Sequence, residues 1–74
     1  MVLEQVKKIL AEHFAISEDA IKNDTDIFDD LGADSLDGVE LMMAFEEAFD
    51  MLITEDQTHG LKTVDQIVQY IESM

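Results

Sequence analysis

Ser35 lies beside two carboxylates, Asp34 and Asp37, in the segment DLGADSLD at residues 30–37. A serine at the start of a helix often only caps the first turn. It can also hold a phosphate ester, because the amino end of a helix favours anions. The two aspartates disfavour a second negative charge, so a covalent phosphodiester with one charge fits better than a freely bound phosphate. Ser35 is therefore a candidate attachment site, with simple capping as the alternative.

Two other kinds of chemistry fit the sequence poorly. Ser35 is not within a G-x-S-x-G motif, and only His13 and His59 could serve it as a base, so a small hydrolase is a remote alternative and no catalytic residue is expected. An EF-hand counted from Asp24 has Phe28 at position 5 and Ser35 at position 12, where a carboxylate is required. No specific metal site is predicted. Cysteine is absent, so any thiol must arrive on an attached group.

Three stretches with helical periodicity surround these residues. The first covers residues 2–14, the second begins at Asp34 or Ser35 and ends near Asp50, and Thr63 is the predicted cap of the last. The apolar positions of the last helix are Val64, Ile67, Val68, Ile71 and Met74. Residues 15–34 are a long loop with room for a helical turn near residues 17–21, and another turn can follow Thr54. The sequence predicts an all-α fold: a small four-helix bundle with three longer helices, one short helix and a long first loop.

The second helix has two different faces when residues 36–52 are placed at about 100° per residue. The predicted core face consists of Gly38, Leu41, Met42, Phe45, Ala48, Phe49 and Leu52. The opposite, outward face consists of Leu36, Val39, Glu40, Met43, Glu46, Glu47 and Asp50. An apolar stripe beside carboxylates is typical of a docking surface. Alternatively, a neighbouring segment such as the long loop covers part of that stripe.

Length and charge limit the classes of protein. A chain of 74 residues predicts one domain, residues 1–74, with little room for a demanding active site. Eighteen acidic residues face four lysines, which gives a net charge of −14. Nucleic acid and anionic membranes are therefore poor partners, whereas basic protein surfaces are good ones. No apolar run reaches the ~20 residues of a membrane span, and the amino end lacks a signal-peptide pattern. We expect a cytoplasmic monomer that does not insert into membranes.

The sequence resembles the bacterial acyl carrier proteins over essentially its whole length. The residues that carry the resemblance are DLGADSLD at 30–37, Val39-Glu40-Leu41, Glu46-Glu47-Ala48-Phe49, and the closing segment from Thr63 to Ile71. The D-S-L motif alone is short. Its setting in a chain of this length, acidity and helix pattern makes the resemblance specific, and the stand-alone carrier of type II fatty acid synthesis is the type most similar.

The resemblance implies a 4'-phosphopantetheine arm, transferred from coenzyme A to Ser35 by a phosphopantetheinyl transferase (holo-acyl-carrier-protein synthase). The arm would supply the missing thiol and hold growing acyl chains as thioesters for enzymes of fatty acid synthesis, while the bundle shelters the chains. The protein itself would be a carrier and not an enzyme. Basic patches on its partner enzymes would contact the second helix. By position the contact residues are Asp34, Asp37, Val39, Glu40, Met43, Glu46 and Glu47.

Two alternatives to that function stay open. The first is a carrier of the same type that serves polyketide, peptidyl or D-alanyl groups. The second is an interaction module in which Ser35 is only a helix cap. Several positions depart from the usual pattern of the family. Gly38 stands where a larger residue is common, Thr54 where proline is frequent, and Phe45 where leucine is common, and Thr58, His59 and Gly60 replace a more charged helical stretch. The phenylalanine would narrow a cavity for acyl chains, so these departures bear on cargo and partner.

Overall fold

The helices of the computed structural model follow the order expected from the periodicity. The structure describes the backbone of residues 1–74 and every side chain except that of Glu55. The elements are α1 (Val2–Phe14), a 3₁₀ turn (Glu18–Ala20), α2 (Ser35–Phe49), α3 (Glu55–Thr58) and α4 (Val64–Glu72). The described backbone contains no strand and one isolated β-bridge, between Asp26 and Thr63. The predicted all-α bundle of three longer helices and one short helix is confirmed. None of the described helices is long and apolar enough to cross a membrane.

Side-chain caps fix where the later helices begin. The Thr63 hydroxyl oxygen accepts a hydrogen bond from the Gln66 backbone N–H, and the Gln66 side-chain oxygen accepts one from the Thr63 N–H. This reciprocal pair is a capping box. Thr54 and Ser17 cap α3 and the 3₁₀ turn with single hydrogen bonds. The predicted cap at Thr63, and the predicted turns after Thr54 and near residues 17–21, are therefore confirmed.

The core forms where α1 packs against α2 and α4. Its fully buried side chains are Phe45, Leu10, Ile21, Ile27, Leu41, Ile67, Val6 and Val64. Two of them, Ile21 and Ile27, belong to the long first loop. Because burial of one such side chain contributes roughly 1.5–3 kcal/mol, these isoleucines anchor the loop to the bundle.

The predicted core faces are wrong at three positions, two of which lie past the ends of the helices. Leu52 is 79 % exposed, and Ala48, at the edge of the predicted arc, is also exposed. Helix α2 ends before Asp50, which has a left-handed conformation with φ 51°. The rotation of 100° per residue therefore no longer applies, and Ile53 takes the buried position. The prediction that Met74 lies on the core face of the last helix is wrong for the same reason, since Met74 follows the end of α4 and is 69 % exposed.

Backbone hydrogen bonds tie the long loop to the start of α4. The Ile27 N–H donates to the Lys62 carbonyl over 2.9 Å, and the Val64 N–H donates to the Thr25 carbonyl over 3.0 Å. Near the end of the loop Gly32 has φ 74°, a conformation that glycine adopts without steric cost. The loop therefore leads from a fixed position beside α4 to the first residue of α2.

Candidate functional site

Asp34, and not Ser35, caps α2. The Asp34 carboxylate accepts a hydrogen bond from the Asp37 backbone N–H over 2.9 Å, and the Asp37 carboxylate accepts one from the Asp34 N–H over 3.0 Å. Together they form a capping box. Ser35 is the first residue of the helix, it is exposed, and no group in the described part of the structure bonds to its hydroxyl. The sequence left either residue as the cap. In the structure the Ser35 hydroxyl remains accessible for other chemistry.

A second contact holds the start of α2 against α1. His13 Nε2 lies 2.9 Å from Asp37 Oδ1, although the two residues are 24 positions apart in the sequence. The hydrogen bond from His13 lowers the pKa of the Asp37 carboxyl below its ordinary value of 3.8, and the hydrogen bond from the Asp34 N–H lowers it further. No local spacing connects residues on separate helices, so the sequence analysis missed this pair.

A groove opens beside Ser35, between α2 and the segment that contains α3. Its volume is about 680 Å³. Its apolar lining consists of Phe28, Gly38, Val39, Met42, Met43 and Ile53. Its polar lining consists of Ser35, Glu46, Thr58, His59 and Lys62. Binding sites for small molecules span roughly 300–1,000 Å³, so the groove is large enough to hold a ligand of that class.

The ring of Phe28 lies against Gly38 and forms part of the groove wall. A Cβ atom added at Gly38 would lie 3.5 Å from the Phe28 Cζ atom, which is an ordinary van der Waals contact. Gly38 is buried beneath this ring. The ring of this long-loop side chain therefore lies close to the α2 backbone just beyond Ser35, and an alanine Cβ would also fit beneath it. The sequence drew attention to Gly38 but did not identify Phe28 as its neighbour.

The predicted outward face of α2 is exposed at every position except Glu46, which is half-buried. Leu36, Val39 and Met43 are 65, 54 and 61 % exposed, so the long loop leaves the apolar stripe uncovered. The carboxylates of Glu40 and Glu47 are exposed beside it. Apolar side chains at i, i+3 and i+7 with acidic neighbours can contact a groove or patch on a partner that carries positive charge.

Two carboxylates of the predicted contact set are engaged within the protein. Glu46 is half-buried, and its Oε2 atom accepts a hydrogen bond from the Ile53 N–H over 2.8 Å. This bond joins the last turns of α2 to the segment that follows the helix. Asp37 bonds to both His13 and Asp34. Glu46 and Asp37 are consequently less available to a partner than Glu40, Glu47 and Asp34, which are exposed.

The described side chains contain neither a metal-binding cluster nor a base for Ser35. No group of three or more histidine, cysteine, aspartate or glutamate side chains is arranged to hold a metal ion in that part of the structure. His13 bonds to Asp37, and His59 is an exposed residue at the end of α3. A nucleophilic serine requires a base within hydrogen-bond distance. No base among the described side chains is within hydrogen-bond distance of the Ser35 hydroxyl.

Comparison with known proteins gives consistent matches over nearly the whole chain. The sequence family described as a phosphopantetheine attachment site matches residues 4–71. The acyl carrier protein of Campylobacter lari is 42 % identical over 73 residues, which cover 99 % of this chain and 95 % of that protein. A solved structure of the acyl carrier protein from Enterococcus faecalis, described for its high thermal stability, gives a TM-score of 0.85 at 36 % identity. That match covers 97 % of this chain and 91 % of the other.

Proposed function

This chain belongs to the acyl carrier protein family, and on that basis we propose that it carries growing acyl chains of fatty acid synthesis on a phosphopantetheine arm attached to Ser35. Members of the family are carriers and not catalysts, and phosphopantetheine is their cofactor. The proposal adds the attachment residue, the pathway and a single carrier domain at residues 1–74 that acts in the cytoplasm. The observation that supports it most is the exposed Ser35 hydroxyl at the first position of α2, which takes no part in the helix cap.

The surroundings of Ser35 fit a phosphodiester with one negative charge. The amino end of α2 favours an anion. The carboxylates of Asp34 and Asp37 repel an anion. Each of them, however, accepts a hydrogen bond from a backbone N–H in the capping box, and Asp37 also contacts His13. A single charge is therefore tolerated better than the two of a free phosphate. When bound, the arm supplies the thiol on which thioesters form, and this chain has no cysteine of its own.

Attachment requires a hydroxyl that a separate enzyme can reach. In the transfer, Ser35 Oγ bonds to the phosphorus that bears pantetheine in coenzyme A. The phosphoanhydride bond breaks, adenosine 3',5'-bisphosphate leaves, and the hydroxyl proton passes to a base. No base among the described side chains contacts Ser35, so we assign the base to the phosphopantetheinyl transferase. The chain's own contribution is to present Ser35 on a helix whose first turn is fixed by Asp34 and Asp37.

The groove beside Ser35 is the proposed shelter for the acyl chain. Phe28, Val39, Met42 and Ile53 would remove methylene groups from water, which contributes about 0.8 kcal/mol for each buried CH₂. Phe45, which the sequence suggested as an obstacle, is fully buried in the core and is not part of the groove lining. Its bulk fills the bundle and leaves the groove open.

The outward face of α2 is the proposed contact surface for the transferase and for synthesis enzymes with basic patches. It presents exposed apolar side chains at Leu36, Val39 and Met43, together with the carboxylates of Glu40 and Glu47. The net charge of −14 attracts such enzymes over a distance, and the apolar stripe stabilises the complex once the surfaces meet.

Incubation with coenzyme A and a phosphopantetheinyl transferase tests the attachment. We expect the intact mass to rise by one phosphopantetheinyl group, carried on the peptide that contains Ser35. Ser35→Ala should abolish the increase, whereas Ser17→Ala, which removes another exposed serine, should leave it unchanged. A wild-type protein that stays unmodified with several transferases, or that is modified elsewhere, would overturn the proposal.

The pathway is tested with the loaded protein. In a reconstituted type II fatty acid synthesis system we expect successive two-carbon additions on the Ser35 peptide. Ligases for D-alanyl or aminoacyl groups, and polyketide synthase modules, serve as the comparison. Efficient loading by one of these, without elongation in the fatty acid system, would favour the alternative carrier function over the proposed one.

A further inference from the structure

Lys62 is the one lysine that lines the groove beside Ser35. It is also a rare positive charge in this part of the chain, because residues 23–61 contain neither lysine nor arginine. Its backbone is held on both sides. The Lys62 carbonyl accepts a hydrogen bond from the Ile27 N–H over 2.9 Å, and the Lys62 N–H donates to the Gln66 side-chain oxygen over 3.0 Å. The exposed Lys62 side chain therefore extends from a fixed point at the edge of the groove.

The ammonium group of Lys62 has no anionic partner among the side chains that the structure describes. The single ion pair found among them joins His13 and Asp37, and neither of these residues lines the groove. Glu46 is the one carboxylate in the described groove lining, and it accepts a hydrogen bond from the Ile53 N–H. The positive charge at the groove is thus available to a bound anion.

We propose that Lys62 adapts this groove to acyl groups that bear a carboxylate, as in the half-thioester of a dicarboxylic acid. The inference rests on the proposed attachment of cargo beside Ser35. A plain alkyl chain needs only the apolar wall formed by residues such as Phe28, Met42 and Ile53. A carboxylate in the same groove would meet the negative field of a protein with a net charge of −14. Lys62 offsets that repulsion locally, and the apolar wall strengthens the attraction by lowering the local dielectric constant.

Two cargoes of equal length provide the test. The protein is loaded by a phosphopantetheinyl transferase from hexanoyl-coenzyme A or from adipoyl-coenzyme A, and the mass of the Ser35 peptide is checked first. Hydroxylamine cleavage is then measured at pH 7 for each thioester on the protein and for the same thioester of free coenzyme A. The rate for the free thioester is divided by the rate for the protein-bound one. This ratio is the protection that the groove gives to each cargo.

Lys62→Gln should lower the protection of the adipoyl group roughly two- to fivefold, the range expected for a partly exposed ion pair. The protection of the hexanoyl group should stay the same, which also shows that the variant keeps its groove. Lys22→Gln removes the same charge from an exposed lysine outside the groove and should change neither value. Added salt should reduce the difference between the two cargoes in the wild type.

Two results would overturn the inference. One is an adipoyl protection that is the same in Lys62→Gln as in the wild type. The other is an equal loss of protection for both cargoes, which would show that Lys62 only maintains the groove. A wild-type protein that takes up neither acyl group at Ser35 would instead contradict the proposed function itself, and the mass measurement identifies that case before any cleavage rate is recorded.

Discussion

The two faces of α2 have similar apolar side chains in opposite surroundings. On the inward face Leu41 and Phe45 are fully buried. On the outward face Leu36, Val39 and Met43 are each more than half exposed, among carboxylates. Hydrophobicity therefore does not separate structural from functional residues in this helix. The two sets differ in burial: the inward side chains are packed by the protein itself, whereas the outward ones stay exposed, as the proposed docking surface requires.

Truncation on the inward face should give the largest effect. Phe45→Ala is expected to lower the free energy of unfolding by about 3–5 kcal/mol, because it leaves a cavity in the core. Met43→Ala, on the outward face, should change it by no more than about 0.5 kcal/mol. Urea unfolding followed by circular dichroism measures both. A loss at Met43 as large as that at Phe45 would show that the outward stripe is packed and would remove the contrast between the faces.

Charge reversal on the outward face should act on binding alone. Glu40→Lys is expected to weaken binding to a basic phosphopantetheinyl transferase about tenfold at low salt, and less at high salt, because screening reduces the interaction. Glu72→Lys makes the same charge change at the end of α4 and should have a much smaller effect. Calorimetric titrations at two salt concentrations give the comparison. Equal losses for both variants would mean that net charge, and not the face of α2, governs binding.

The same division between structure and function should hold for two adjacent residues at the start of α2. Asp34→Ala removes the cap and should lower the free energy of unfolding by about 1 kcal/mol. Asp34→Asn should keep most of the stability that the cap contributes, because asparagine also caps helices. Ser35→Ala should change the free energy by less than about 0.5 kcal/mol. Thermal melts of the three variants provide the measurement. A larger loss at Ser35 than at Asp34 would restore the interpretation of Ser35 as a simple cap.

The pair of His13 and Asp37 should give the smallest effect, and only in acid. Because the fold lowers the pKa of Asp37, its carboxylate adds stability above about pH 3.8, and that stability is lost as the pH falls through the lowered pKa. His13→Ala should raise the pKa of Asp37 toward 3.8, and His59→Ala should leave it unchanged. Carboxyl resonances followed by ¹³C NMR report the titration. A pKa of Asp37 unaffected by His13→Ala would show that the contact is absent in solution.

The features that the sequence predicted correctly are those set by local physics. Helix periodicity, the cap at Thr63 and the turn after Thr54 depend on residues within about one turn of each other, so these features could be predicted from the sequence. The exposed face of α2 followed from the same periodicity. The predictions for Leu52 and Met74 were wrong because the helical rotation was continued past residues where the helix had ended.

Contacts between distant segments could not be predicted in this way. His13 and Asp37 meet only because α1 packs against α2. The position of Phe28 on Gly38 depends on the path of the long loop, and the groove depends on where the segment after α2 returns. No periodicity encodes these distances. The sequence therefore indicated the residue that is proposed as the attachment site, while the structure supplied the groove and the contacts around it.

One spectrum tests the attachment to Ser35 most directly. After the protein is loaded from coenzyme A by a phosphopantetheinyl transferase, a two-dimensional ¹H–³¹P correlation links the phosphorus of the arm to the protons of the side chain that bears it. We expect one phosphodiester resonance, correlated with the β-protons of Ser35 and with the first methylene of the arm. A phosphorus resonance correlated with any other residue, or none at all under loading conditions, would contradict the placement of the arm at the start of α2.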